Sequence, residues 1–386
     1  MPNYDYILAG GGAAGLSLAY QLTCVEGEKP SILILDLDNK RKNDRTWCFW
    51  TNAATGLEEV YYRTWKQMWF YGEGFEKKIP LGDWQYVMLR GIDFYDWMRA
   101  HFARCGGVDF VQAEVVRIED DPLQPRVHTR DGNVYAAKWV FDSRVLPGSV
   151  QVDRKRYHLL QQHFLGWEVE TEKQAFDAEA LTLFDFRTPQ HGVMRFMYVL
   201  PFSPQRALVE YTLFSENLLP QSEYETALKE YLASVVGVER YRVLDVEQNR
   251  IPMTDYPFPR RLGERVWAIG TLGGRVKPSS GYAFWRIWQD ARQMADSLRR
   301  YGDPTHVHLS PRRYRWFDQV MLNVMYRQGH QTKRAFTALF RNNPPQRIFG
   351  FLNEANPWWE DILVLASLPL PPFLGAFLRT QILRKI

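Results

Sequence analysis

Two stretches carry side chains whose types and spacing suit chemistry. Residues 206–216 read RALVEYTLFSE, an alternating apolar run interrupted by one carboxylate, Glu210. A strand period of two puts Leu208, Glu210 and Thr212 on one face and Val209, Tyr211 and Leu213 on the other. On an apolar wall, desolvation would hold the carboxyl neutral and make it a proton donor at cellular pH. On an outer face it would be a solvated charge, and alternation alone leaves both readings open. The second stretch is G-x-G-x-x-G, formed by Gly10, Gly12 and Gly15 directly after an apolar run, with Asp36 closing the next apolar run 21 residues after Gly15. Glycines there permit a tight turn and close approach to a pyrophosphate. The helix N-terminus, with Ala13 and Ala14 in its first turn, offers free N–H groups, and Asp36 can hydrogen-bond a ribose.

The elements around these stretches read as follows. YDYILAGGGAAGLSLAYQL and SILILDLD open as strand, glycine turn, helix and buried strand, a βαβ start. Residues 92–104 have helical periodicity. VDFVQAEVVRIEDD, RVHTR and VYAAKWVFDS read as a β-meander. HFLGWEVET, LTLFDF, VMRFMYVL and RALVEYTLF read as an antiparallel sheet, the last two joined by PFSPQ as a hairpin. RVWAIG is another strand, followed by a Gly-rich loop and a long helix to about Arg300; 310–386 is mostly helical with Pro-rich breaks. The expected fold is α/β with an α+β second domain. Residues 1–150, completed by 260–300, form a Rossmann-type nucleotide-binding domain. An antiparallel-sheet substrate domain spans 151–259, and a helical region 305–386.

At 386 residues with 46% apolar content the chain supports two or three structural units and a real core. The 14 Trp fit aromatic-lined pockets or simply a large core. Net charge is +4, but from Ser310 onward there are 11 Lys and Arg against 4 Asp and Glu. Such a basic, aromatic-rich third suits anionic lipid or an acidic partner; no nucleic-acid motif accompanies the charge. Three scattered cysteines make neither a disulfide framework nor a metal site, and His191, His306, His308 and His330 lack ligand spacing. No secretion signal is read, and Pro369, Pro371 and Pro372 break the apolar run at 362–378 before it could span a bilayer. The expected location is cytoplasmic, peripheral to the inner membrane face.

VYAAKWVFDSR (134–144) resembles the strand by which two-domain flavoproteins return to the nucleotide domain, and WAIGTLGGRVKPSSGYAF (267–284) resembles their second Gly-rich loop and helix start. The resemblance favours FAD over NAD, and implies cofactor contacts from Asp142, Gly270, Ser280 and Gly281, the last two as backbone donors. Such proteins carry Asp after the loop's first glycine, where this chain has Thr271. NDRTWCFW (43–50), LPFSPQRALVEYTLFS (200–215), GTLGGRVKPSSGYAFWRI (270–287) and FDQVMLNVM (317–325), with GGGAAG, narrow it further. In order and spacing the chain resembles the flavoprotein lycopene cyclases of carotenoid biosynthesis, in their bacterial β-cyclase branch.

That resemblance implies cyclisation of the linear ψ-ends of lycopene to β-rings. It implies a requirement for reduced FAD without net redox change, NAD(P)H as the electron source, and other carotenoid enzymes as partners. The family's F-L-E-E-T-like strand reads L-V-E-Y-T here, so the catalytic acid falls on Glu210 and Tyr211 replaces the second acid. One catalytic carboxyl is expected. Glu168 and Asp185 are secondary candidates, Asp185 reading better as a structural partner of Arg187; Arg45 would contact FAD phosphate or stack beside Trp47. A basic surface with Trp316, Phe336, Phe340, Phe349, Trp358 and Trp359 is expected to touch the membrane. Two rival readings share the scaffold: an NAD(P)H-using hydroxylase or prenyl reductase, and a non-enzymatic prenyl chaperone.

Overall fold

The computed structural model describes residues 2–25, 27–145, 151–308 and 310–382. Its first sheet is centred on β1 (Asn3–Ala9). On one side β2 (Ile32–Asp36) and then β8 (Val108–Gln112) pair in parallel; on the other lies β11 (Val134–Asp142), also parallel. β11 serves two partners on one edge. Its first residues pair antiparallel with β10 (Arg126–Thr129), which continues to β9 (Val115–Glu119), and its last pair in parallel with β17 (Val266–Ala268). Leu8, Ile34 and Phe141 face the helix layer of α1 (Ala13–Thr23), α2 (Gly91–Cys105) and α4 (Phe284–Tyr301), while Ile7, Leu33 and Val140 face the meander. Burial on both faces explains the near-continuous apolar runs of these strands.

The second sheet runs β16 (Tyr241–Thr254), β12 (Leu159–Thr171), β15 (Arg206–Ser215), β14 (Met194–Ser203), β13 (Ala180–Asp185), β5 (Gln67–Gly72), β6 (Phe75–Pro80). All its pairs are antiparallel except β13 with β5. β5 and β6 come from the N-terminal portion of the chain, so the split at residue 150 is interleaved in space. The hairpin of β14 and β15 is tighter than PFSPQ suggested, because Pro201–Ser203 continue the strand through a bulge. A third sheet, β3 (Thr46–Thr51), β7 (Gln85–Arg90) and β4 (Arg63–Trp65), bridges the two layers.

The outer face of the second sheet buries Val209, Tyr211 and Leu213 against α3 (Gln221–Tyr231). The inner face is roofed by α5 (Arg312–Gln328), α6 (Thr332–Asn342) and α7 (Pro345–Leu352), through Leu322, Leu339, Phe340 and Phe349. Phe340 and Phe349 are therefore core, not membrane-facing as the sequence suggested. α8 (Trp358–Ala366) and α9 (Leu370–Phe377) complete the roof. Prolines 344, 357 and 369 stand at the N-caps of α7, α8 and α9, where the missing N–H costs nothing and continuation from the preceding helix is blocked. Among the described residues no helix is long and apolar enough to cross a membrane.

Candidate active site

The inner face of the second sheet is the floor of a cavity of about 770 Å³. Strand register decides what it presents. Glu210 on β15 stands opposite Tyr198 on β14 and Gly166 on β12, and Gly166 stands opposite Glu247 on β16. Directly paired residues share a face, so one row reads Tyr198, Glu210, Gly166, Glu247. Glu210 is only 8% exposed. Its carboxyl is pushed well above the ordinary carboxylate range, first by burial and then by the charge of Glu247. Among the described residues none donates a hydrogen bond to it. Glu247 is also raised by burial, but the backbone N–H of Thr46 donates to its Oε1 at 3.1 Å, and Thr46 and the Arg45 charge pull the other way. Gly166 is what lets the row close. A Cβ there would lie 2.8 Å from Glu210 Cγ and 3.3 Å from its Oε1, so the Glu210 side chain lies across the glycine.

The cavity floor thus holds two carboxyls where the sequence pointed to one. Tyr211 does replace a carboxylate in the motif, yet the pleat turns position 211 away from the cavity, where its hydroxyl accepts from Arg195 at 3.0 Å. The second carboxyl comes from β16 instead. Glu168 shares the cavity-side face but is engaged by Arg206, and Asp185 is held by Arg187 and by the Tyr231 hydroxyl at 2.8 Å, as a structural acid.

Aromatic side chains wall the space above the row. The Tyr86 hydroxyl meets those of Tyr198 at 2.8 Å and Tyr282 at 2.7 Å, and Trp50 packs edge-on to Tyr282 with centroids 4.5 Å apart. Burial raises the Tyr86, Tyr198 and Tyr282 hydroxyls and the Cys48 thiol, so all stay neutral. Neutral rings in a largely apolar cavity suit a cation-forming reaction.

At its other end the cavity reaches the glycine turn. Gly10 holds φ +112°, and a Cβ there would meet Ser143 Oγ at 2.1 Å. A Cβ at Gly15 would meet the Gly10 carbonyl oxygen at 2.0 Å, so α1 packs against its own turn only as glycine. Gly12 faces open space, and Gly12, Ala13 and Ala14 line the cavity together with Gly270 and exposed Arg45. Asp36 Oδ2 accepts the Gly11 N–H at 2.6 Å, fixing the turn. Two expected contacts differ. Asp142 is paired with Arg144 at 2.8 Å rather than turned to the cavity. The Ser280 and Gly281 amides donate to the Lys277 carbonyl, at 3.3 and 2.9 Å, closing a turn before α4. The Ser280 Oγ and Gln162 Oε1 beside them are buried without a hydrogen-bond partner among the described residues, and both residues line the cavity. An open glycine cradle, a free helix N-terminus and orphaned polar atoms at the same wall fit a bound dinucleotide.

That wall is tied to the roof by buried charge. Lys277 Nζ bonds Asp318 at 3.0 Å and Glu354 at 2.8 Å, and Arg286 bonds Glu354 at 2.8 Å. Burial alone would raise Glu354, but Lys277 and Arg286 outweigh it and hold the group at about 2. Among the described residues no cluster of His, Cys, Asp and Glu is arranged to hold a metal ion.

The architecture defines a fold class: α/β, the two-domain fold of flavoproteins with a Rossmann-type FAD-binding domain, here with a helical C-terminal part. It is similar to a flavoprotein/dehydrogenase from Cytophaga hutchinsonii (TM-score 0.66, 13% identity, 98% of this chain and 99% of that one). It is also similar to Klebsiella pneumoniae HpxO complexed with FAD and uric acid (TM-score 0.64, 17% identity, 96% and 98%). The chain belongs to the lycopene cyclase protein family, whose model matches residues 5–377. It is 26% identical to the chloroplastic lycopene beta cyclase of Arabidopsis thaliana over 390 residues, 91% of this chain and 74% of that protein. It is 25% identical to the capsanthin/capsorubin synthase of Citrus sinensis over 313 residues, and the match spans 60% of that protein's length.

Proposed function

We propose that this chain is an FAD-dependent lycopene β-cyclase, closing the acyclic ends of lycopene to β-rings by acid–base chemistry without net redox change. The observation that carries the reading is Glu210, a carboxyl kept neutral by burial on the floor of an aromatic cavity that also opens on a dinucleotide cradle. Closing such a ring needs a proton on the terminal trisubstituted alkene, shelter from water for the tertiary cation, and removal of a proton afterwards. Glu210 supplies the first. The rings of Trp50, Tyr86, Tyr198 and Tyr282 supply the shelter and polarisable faces.

Gly12, Ala13, Ala14, Arg45, Gly270 and the Ser280 hydroxyl would hold FAD, with Asp36 setting the turn, and NAD(P)H would keep it reduced. The reduced cofactor, when bound, supplies fixed negative charge that favours a nearby cation.

A wholly apolar carotenoid must be drawn from a bilayer. Trp358, Trp359, Ile362 and Leu363 on α8 and Leu370, Leu374 and Phe377 on α9 are exposed, and the last three also line the cavity. This continuity supports peripheral docking of α8 and α9 on lipid as the entry route.

The test is anaerobic incubation with lycopene in liposomes, with oxidised or dithionite-reduced FAD. Cyclic product with reduced FAD only, without stoichiometric use of NAD(P)H, is expected; nicotinamide consumed mole for mole with product would instead mark a prenyl reductase or hydroxylase. Glu210→Gln should keep FAD and lose about 100-fold or more of the rate.

A further inference from the structure

The row on the cavity floor contains two carboxyls, and acid donation by Glu210 uses one. We propose that Glu247 is the base of the cycle: it takes the proton released from the cyclised cation and returns it to Glu210 across Gly166. The inference rests on the cyclase reading above.

Position is the first support. Glu210 and Glu247 flank the same residue on the strands either side of β12, at one level and on one face, and both line the cavity. The residue between them has no side chain, and Glu210 already lies over it. Any larger residue at 166 would stand between the carboxyls.

Asymmetry is the second. Thr46 N–H fixes Glu247 Oε1 at 3.1 Å, and Arg45 is the neighbouring charge that bears on it. Asp245 and Glu210 oppose ionisation. Glu210 faces Tyr198 and Cys48, both neutral, and has no donor of its own among the described residues. A single net charge on the pair therefore settles on Glu247, leaving Glu210 with the proton. Two carboxyls in unlike surroundings divide acid and base roles between them.

The proton inventory closes. The Glu210 O–H bond breaks and its proton forms a C–H bond at the terminal alkene. The second alkene's electrons close the ring on the tertiary cation. A ring C–H bond then breaks, its electrons form the ring double bond, and its proton goes to the Glu247 carboxylate. Transfer from Glu247 to the Glu210 carboxylate resets the pair. No electron is gained or lost and no co-reactant is consumed, which matches an isomerisation.

Glu247→Gln, Glu247→Asp and Glu210→Gln are assayed as full-length holoenzymes with reduced FAD and lycopene liposomes, with rates expressed per bound flavin. Glu247→Gln is expected to lower kcat about 100-fold with KM unchanged, and Glu247→Asp to recover part of it. A Glu247→Gln rate near the wild-type value, or a loss carried by KM alone, overturns the assignment. The control separates the two readings. A Glu210→Gln enzyme that still turns over removes the acid–base reading of the whole site. A dead Glu210→Gln beside a fully active Glu247→Gln removes only the base.

Discussion

Glu210 lies over Gly166, toward the strand that carries Glu247, and the glycine's missing Cβ is the condition for it. The would-be Cβ at 166 is 2.8 Å from Glu210 Cγ. Gly166→Ala should therefore displace the acid without touching the cradle. Overpacking costs about 1–3 kcal/mol, partly offset by the ~0.5–1 kcal/mol that alanine gains over glycine in regular structure. The expected enzyme folds, keeps its flavin and loses about tenfold or more in kcat. An unchanged kcat in the alanine variant would show that Glu210 works equally well off the glycine.

The buried acid also predicts how stability follows pH. The Glu210 carboxyl is raised above its usual 4.5 on folding. The folded state then holds a proton that the unfolded state releases, so stability is present in full below about 4.5 and is lost as pH rises toward the folded value. The slope approaches about 1.4 kcal/mol per pH unit for one fully linked group. Glu210→Gln removes that slope. The melting temperature of the variant should gain on the wild type between pH 5 and pH 8 (about the range where the proton is retained). A constant gap across that range would place Glu210 in solvent.

Much of the fold was legible in the chain, and the failures have three separate causes. The βαβ start and the β14–β15 hairpin announce themselves because both their faces or one whole face are apolar, giving continuous or strictly alternating runs. The expected meander is shorter than read, because VDFVQ forms β8 and pairs in parallel with β2, leaving β9, β10 and β11 to meander. β16 does not announce itself. It is an edge strand, mostly exposed, and its cavity face carries Glu247 and Asn249, so YRVLDVEQNRIPMT reads as a solvated segment. Missing the strand meant missing its carboxyl. The faint signal was the alternation of Asp245, Glu247 and Asn249 ahead of the apolar Ile251 and Met253, period two with polar residues on the inner side. β5 and β6 were misplaced for a different reason. Their partner β13 lies over a hundred residues away, and no local pattern encodes that pairing. The tight turn at Lys277–Gly281 shows a third limit: the sequence pointed to the Ser280 and Gly281 amides as cofactor donors, whereas both close the turn onto the Lys277 carbonyl and the Ser280 hydroxyl is the group left free among the described residues.

Within the cradle, two glycines should fail differently. Gly15→Ala puts a Cβ 2.0 Å from the Gly10 carbonyl oxygen, a backbone atom that cannot yield. The turn and α1 must separate, so both melting temperature and bound flavin should drop. Gly12→Val adds its side chain to open space, where a Cβ finds no atom within 4 Å. That variant should melt like the wild-type apoprotein and yet bind FAD at least about tenfold more weakly, since close backbone approach is what the glycine provides. Flavin absorbance on purification and a fluorescence titration separate the two, and a Gly12→Val protein that loads normally would place the dinucleotide elsewhere.

The lipid-facing surface can be separated from catalysis because part of it lies outside the cavity. Trp358, Trp359 and Ile362 are 62%, 54% and 52% exposed, all on α8, and none lines the cavity. Fully burying an apolar side chain of this size is worth about 1.5–3 kcal/mol. Even partial insertion of all three would account for much of the affinity of a peripheral protein. Trp358→Glu, Trp359→Glu and Ile362→Glu combined should cut co-sedimentation with anionic vesicles by at least about tenfold and remove turnover of liposomal lycopene. Lycopene presented in detergent micelles bypasses the bilayer, so there the triple variant should turn over at the wild-type rate. Equal loss in both media would move these residues from docking to folding, and undiminished vesicle binding would send the entry route to another face.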